Sequence, residues 1–236
     1  MAAFAAAEKA QVRADGWRWK AWLEAARRDY LAELAPEPMP GTLNLGEVAR
    51  DLGVVLPPDT IVANGAGNYT AWVHRHGQYG PFRTQLAPAG GAMGYGVPVA
   101  IAAKRVCRQR PVVCFAGDGC FLMSGQELVT AVQYGLKILF LVVNNGRYGT
   151  LRMHQEREYP RRLRGTDLQN PDFAAYARAF GAHGETVRSN AQFAPALERA
   201  LSATGPALIE LVIDPDAITS RTSLTAIPRA ALAKRR

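Results

Sequence analysis

Two uninterrupted apolar runs, Val112-Val113-Cys114-Phe115-Ala116 and Ile138 to Val143, restrict the fold of this chain more than any other feature. Runs of that kind, without polar alternation and bounded by turn residues, belong to strands buried on both faces of a parallel sheet. A helix-patterned stretch from Phe121 to Tyr134 lies between them, so the three read as a strand–helix–strand unit with a right-handed crossover. The first run closes on Gly117-Asp118-Gly119 and the second on Asn144-Asn145, which puts Asp118 and Asn145 27 positions apart. Parallel strands place all their carboxyl ends on one edge of the sheet, and ligands bind there. One carboxylate and one amide oxygen are therefore expected at neighbouring strand tips.

The rest of the chain extends the same alternation. Helices are expected at Leu45–Val54 (with Asn44 as N-cap), from Tyr69 to Arg75, from Val97 to Cys107, at Phe173–Phe180 behind Pro171-Asp172, and at Ala191–Ala203. Short strands are expected at Thr60–Ala63, Phe82–Leu86, Glu185–Val187 and Ala207–Val212. The fold class is a three-layer α/β/α arrangement around a mostly parallel sheet. Ahead of it, Ala2 to Leu34 reads as a helix with an imperfect apolar stripe, stopped by Pro36, Pro38 and Pro40. The expected organisation is a helix and linker over 1–40, an α/β domain over 41–215 and a tail over 216–236.

Composition narrows the function classes. No apolar stretch approaches the ~18–20 residues that cross a bilayer, and the first residues lack the basic-then-apolar order of a signal peptide, so a cytoplasmic protein is expected. Cys107, Cys114 and Cys120 are spaced by seven and six, which matches neither a zinc pattern nor a disulfide framework. The formal charge of +8 raises nucleic acid as a partner, but the basic residues are scattered apart from Arg161-Arg162-Arg164 and Lys234-Arg235-Arg236, without any nucleic-acid-binding motif. Those clusters read as a solvated loop and a terminal tail.

The tips carry the chemistry. Magnesium takes hard oxygen ligands, few protein carboxylates and help from phosphate oxygens. Asp118 offers a charged oxygen, Asn145 an amide oxygen, and a backbone carbonyl shortly after Asn145 a third. Gly119 and Cys120 open the following helix, whose first amides are donors for an anion. Glycine at 117 and 119 lets the backbone come close to a ligand. Each residue also has a plainer reading: Asp118 as a helix cap, Met93 as core filler, Asn144 as structural, His154 and Gln155 as surface loop, His74 and His76 as solvent-facing or packing residues.

Taken together, Gly117-Asp118-Gly119 and Asn144-Asn145 resemble the motif of thiamine-diphosphate-dependent enzymes. Gly91-Ala92-Met93-Gly94-Tyr95-Gly96-Val97-Pro98 and Asn145-Gly146-Arg147-Tyr148-Gly149-Thr150 point to the acetolactate synthase-like branch. The likeness covers Gly41 to Asp214, the family's C-terminal diphosphate-binding domain. It implies that Asp118, Asn145 and the carbonyl of Arg147 ligate magnesium, and that the amides of Gly119 and Cys120 hold the diphosphate of thiamine diphosphate. It also implies that Met93 supports the bend of the cofactor and that the carbonyl of Gly91 accepts from its pyrimidine amino group. Asn68 and Tyr69, with Gly67, align with a loop that touches the diphosphate.

Two departures from the family follow. The pyrimidine-binding domain, whose glutamate activates the cofactor across a dimer, has no counterpart before Gly41, and Glu8, Glu24, Glu33 and Glu47 have the wrong surroundings for that role. A separate subunit or a longer parent chain is expected to supply it, within a homo- or hetero-oligomer. His154 stands where acetohydroxy-acid-forming synthases carry tryptophan, so the 2-oxo acid substrate stays open, and FAD is not inferred. The rival readings are a non-catalytic cofactor-binding remnant or regulatory module, and a nucleotide-binding α/β protein. Gly65-Ala66-Gly67 supports the last only weakly.

Overall fold

The computed structural model describes residues 18–81 and 83–233. It divides into two compact units, Met1–Ala35 and Pro36–Arg236. In the first, helix α1 (Lys20–Glu33) buries none of its residues; Trp22, Leu23, Tyr30 and Leu31 are exposed. The alanine-rich start with Glu8, Phe82 and Lys234-Arg235-Arg236 lie outside the described residues.

The second unit is built on six strands: β1 (Ile61–Asn64), β2 (Gln85–Leu86), β3 (Val112–Gly117), β4 (Leu139–Asn144), β5 (His183–Val187) and β6 (Ala207–Val212). Their order is β2-β1-β3-β4-β6-β5, and every neighbouring pair is parallel. The period of two sorts each strand between two cores. Val113, Phe115, Leu139, Leu141, Ile209 and Leu211 face one side, with α2 (Leu45–Val55), α3 (Thr70–His76) and α9 (Asn190–Ser202). Val112, Cys114, Phe140, Val142 and Leu208 face the other, with α4 (Gly96–Val106), α5 (Asp118–Phe121), α6 (Leu128–Gln133) and α8 (Phe173–Ala179). At ~1.5–3 kcal/mol for each fully buried large side chain, burial on both faces explains why these runs carry almost no polar residue.

Local chemistry sets the helix ends. The Asn44 side chain accepts from the Gly46 amide and so caps α2, and Asp172 accepts from Ala175 and caps α8. The strand order reverses at β1 and β3: β1 leads outward to β2, whereas β3 leads the opposite way to β4. The carboxyl ends of β1 and β3 therefore diverge into a crevice, the usual ligand position in such sheets.

Four expectations need correction. The helix expected from Phe121 to Tyr134 is broken into α5, a 3-10 turn (Gly125–Glu127) and α6. Ser124 leaves helical geometry with φ −147° and its hydroxyl donates to the Gly94 carbonyl at 2.7 Å, while the Phe121 ring packs so closely on Gly125 that a Cβ there would lie 2.6 Å from it. The Arg- and Gly-rich loop after Asn145 contains a helix, α7 (Gly149–Glu158). Its only buried residue is Glu156, so it had no apolar periodicity to read. Residues 216–233 are not a tail: Ala217, Ile218 and Leu224 are buried, Asp216 holds the amide and hydroxyl of Thr225, and α10 (Ala226–Ala233) follows. Three apolar side chains in so short a segment are too few to form a pattern. Finally, the proline segment belongs to the second unit from Pro36 onward, where the Glu37 carbonyl accepts from Asn44.

Candidate functional site

A cleft opens at the carboxyl edge of the sheet, the edge where ligands bind in parallel α/β folds. Loops after β1, β3, β4 and β6 form its walls, so four strand ends converge on it. Asp118, Asn145 and Arg147 line it, as do Gly117, Gly119 and Cys120. Asn68, Tyr69 and Met93 come from two further segments to the same cleft. Gly91 does not: it is exposed and outside the cleft wall, in a turn with φ +66° and with open space on its side-chain face.

Asp118 is the centre of the arrangement. It is 3% exposed, and Gly117 beside it pairs with Val143, which brings it level with the end of β4. Its Oδ1 accepts from the Gly119 amide at 2.8 Å. Its Oδ2 accepts from the Gly146 amide at 2.9 Å and from Asn170 Nδ2 at 2.8 Å. Burial pushes this carboxyl above the ordinary aspartate range, and the donors from Gly119, Asn170, Gly146 and Arg147 pull the other way without overcoming it. Every one of those donors is neutral. A buried carboxylate held only by neutral dipoles is a site that a cation stabilises.

Asn145 and Arg147 follow from the turn after β4. Gly146, with φ +69°, reverses the chain there. Gly146 O accepts from Leu168 N and Tyr148 N donates to Thr166 O, both at 2.8 Å, with Arg147 opposite Asp167 between them. In such an antiparallel bridge the flanking residues use the groups that face the partner, so the amide and carbonyl of Arg147 face the other way. That amide donates to Asn145 Oδ1 at 3.3 Å. The Arg147 Nε is buried without a hydrogen-bond partner. Among the described residues no three His, Cys, Asp or Glu side chains are grouped to hold a metal. One carboxylate, one amide oxygen and one carbonyl make a hard oxygen set, which fits magnesium completed by phosphate oxygens.

The glycines of the cleft pack against tyrosine rings. A Cβ on Gly119 would lie 2.5 Å from the Tyr148 ring, and one on Gly117 would lie 3.1 Å from Tyr69. Here the two glycines make room for tyrosine rings. The Gly119 amide is also engaged by Asp118, and it opens a four-residue helix instead of a long one. Tyr69 turns its hydroxyl toward the Phe115 carbonyl at 3.3 Å, beside Cys120, and burial raises its pKa well above the ordinary value. Asn68 is clasped to α7, its Oδ1 accepting from Thr150 Oγ1 at 2.9 Å. Met93 sits outside any helix and is half-buried at the cleft.

Other candidates have structural partners. His154 is exposed and meets Arg157, Gln155 binds both backbone groups of Arg164, and His74 meets Asn64 Oδ1 at 3.0 Å. His76 is buried, so of its two readings packing applies. Cys114 is core, its thiol pushed up by burial. Sequence reasoning missed Asn170 and Glu210. Glu210 did leave a signal, as the one charge inside Ala207-Leu208-Ile209-Glu210-Leu211-Val212; Asn170, in a polar loop before a proline, left none.

Residues 65–211 match the model of the thiamine pyrophosphate enzyme C-terminal TPP binding domain. The acetolactate synthase large subunit of Parasynechococcus marenigrum (strain WH8102) is 37% identical over 202 residues, 82% of this chain and 32% of that protein. The acetolactate synthase isozyme 2 large subunit of Escherichia coli (strain K12) is 34% identical over 160 residues, 67% of this chain and 29% of that protein. Among solved structures, the thiamine diphosphate-dependent 4-hydroxybenzoylformate decarboxylase of Rhodococcus jostii RHA1 superposes with a TM-score of 0.72 at 26% identity, covering 78% of this chain and 35% of that one. The chain thus spans about a third of the length of these relatives.

Proposed function

This chain belongs to the thiamine pyrophosphate enzymes, as their C-terminal cofactor-binding domain in an acetolactate synthase-like form, and from that premise we propose that it binds thiamine diphosphate through magnesium in the cleft at Asp118. Asp118, the Asn145 amide oxygen and the Arg147 carbonyl hold the metal. The Cys120 amide, at the start of α5, and the loop of Asn68 and Tyr69 face the diphosphate. Met93 supports the cofactor from the cleft wall, and the Gly91 carbonyl, on an exposed turn, meets the pyrimidine end. Bound cofactor supplies the nucleophilic carbon and the electron sink for decarboxylation or carboligation of a 2-oxo acid. The residues of this chain bind and orient it, which is the protein's share in cofactor enzymes.

The observation that carries this reading is the buried Asp118 carboxylate, surrounded by neutral donors at the topological switch point of a parallel sheet. Among the described residues no helix is long and apolar enough to cross a membrane, and a cytoplasmic location is part of the proposal. So is an oligomer in which a pyrimidine-binding domain or subunit provides the activating glutamate. Calorimetry with thiamine diphosphate and magnesium on the wild type and Asp118→Ala tests the site. Magnesium-dependent binding by the wild type alone is expected; equal binding by both proteins removes the metal assignment. Adding a pyrimidine-binding partner and following pyruvate consumption then tests catalysis.

A further inference from the structure

Behind Asp118 lies a chain of side chains that are not among the ligands assigned to the metal above. Glu210 is on β6, an interior strand next to the edge strand β5, 5% exposed, opposite Val142 on one side and Thr186 on the other. Its Oε1 accepts from Asn144 Nδ2 at 2.6 Å and its Oε2 from Thr186 Oγ1 at 2.8 Å. Asn144 Oδ1 accepts from the Gly146 amide at 3.0 Å and from Asn170 Nδ2 at 2.8 Å. The same Asn170 Nδ2 donates to Asp118 Oδ2 at 2.8 Å.

The direction of every bond in this chain follows from the first. Both Glu210 oxygens accept, one of them from Asn144, so Asn144 presents its NH₂ to this carboxyl. The Asn144 oxygen is then turned outward, where Gly146 and Asn170 donate to it. Asn170 must in turn present NH₂, and its second hydrogen goes to Asp118. Flipping Asn170 would set its oxygen against two acceptors. The structure instead leaves Asn170 Oδ1 buried without a partner, an arrangement that is costly unless something else fixes the amide. The position of Asn170 is secured separately, by the ladder that ties Leu168 and Thr166 to Gly146 and Tyr148, and by the Asp172 cap of α8.

We infer that Asn170 is a positioning residue for the metal-binding carboxylate, its polarity set by Glu210 through Asn144. Two donors fill Asp118 Oδ2, Gly146 and Asn170, whereas Oδ1 has a hydrogen bond from Gly119. The relay thus fixes the rotation of the carboxylate and leaves Oδ1 as the oxygen that turns to a cation. Outer partners of metal ligands act in this way: they orient the ligand before the ion arrives. The inference rests on the metal reading proposed above.

The test is a magnesium titration at saturating thiamine diphosphate on the full chain, for wild type, Asp118→Ala, Asn170→Ala and Asn170→Ser, with circular dichroism to verify the fold of each. Asn170→Ala is expected to raise the magnesium half-saturation by ~10–100-fold. Cofactor affinity measured at saturating magnesium should stay near wild type, a split that general loosening of the cleft would not produce. The serine hydroxyl donates once where the amide donates twice, so Asn170→Ser should fall between wild type and alanine, and it decides the matter if the alanine variant does not fold. Wild-type magnesium affinity in both Asn170 variants, with binding abolished in Asp118→Ala, overturns the relay and leaves the metal site standing. Parallel losses of magnesium and cofactor affinity also overturn it. Absence of magnesium-dependent binding in the wild type overturns the metal reading and the relay together.

Discussion

The tips of β3 and β4 and the segment from Pro88 to Gly96 both border the cleft, but they are built in opposite ways. At the tips, Asp118, Asn144, Gly146, Asn170 and Glu210 bond to one another, and each bond limits the orientation of the next. The other segment is hydrogen-bonded across the cleft at Gly94, whose amide donates to Cys120 Sγ at 3.2 Å and whose carbonyl accepts from Ser124. Gly91 and Ala92 beyond it are exposed. The difference teaches that the end proposed to hold the metal is organised before any ligand arrives. Preorganised groups contribute more to binding because less ordering remains to be done.

Substitutions can break or sharpen this contrast. The largest effect is expected from Asp118→Ala, which should weaken magnesium-dependent cofactor binding by more than the ~100-fold that bounds outer partners; calorimetry measures it, and a smaller loss would mean that the tips are not the anchor. Met93→Ala should act at the other end only. Removing a methionine that covers a ligand costs ~1.5–3 kcal/mol, about tenfold or more in cofactor affinity, while magnesium half-saturation stays unchanged. If both constants shift, the two ends are not separable. Ser124→Ala removes the bond to Gly94, about 1 kcal/mol for a hydrogen bond of this kind, and should lower both the melting temperature and the cofactor affinity by correspondingly small amounts.

The smallest effect serves as a control away from both ends. The Arg199 guanidinium bonded to Glu185 holds that carboxyl below the ordinary glutamate range, opposed by burial and aided by His183. A lowered folded pKa means stability that is present above the unfolded pKa and lost as pH falls through the folded one. Glu185→Gln should therefore lower the melting temperature slightly at neutral pH. The gap to wild type should close below about pH 4, with no change in magnesium affinity at neutral pH. Thermal scans across pH check the first outcome and titration the second.

What the sequence determined by itself was the sheet and the position of its reactive edge. Apolar runs without alternation can be satisfied only by burial on both faces, which made Val112–Ala116 and Ile138–Val143 legible as strands and placed Asp118 and Asn145 at their ends. Asn44 and Asp172 were legible as caps for a similar reason, since a short polar side chain before an apolar pattern has one good use there. Tertiary structure alone decided what surrounds those tips. Tyr148 over Gly119, Ala217 and Ile218 at the cleft, and Asn170 delivered to Asp118 across 52 positions are contacts between segments with no periodicity of their own. Periodicity reports which face of an element is buried; it carries no information about which distant side chain completes a hydrogen bond. The direction of an amide depends on its partners in space, and those partners exist only after the chain has folded.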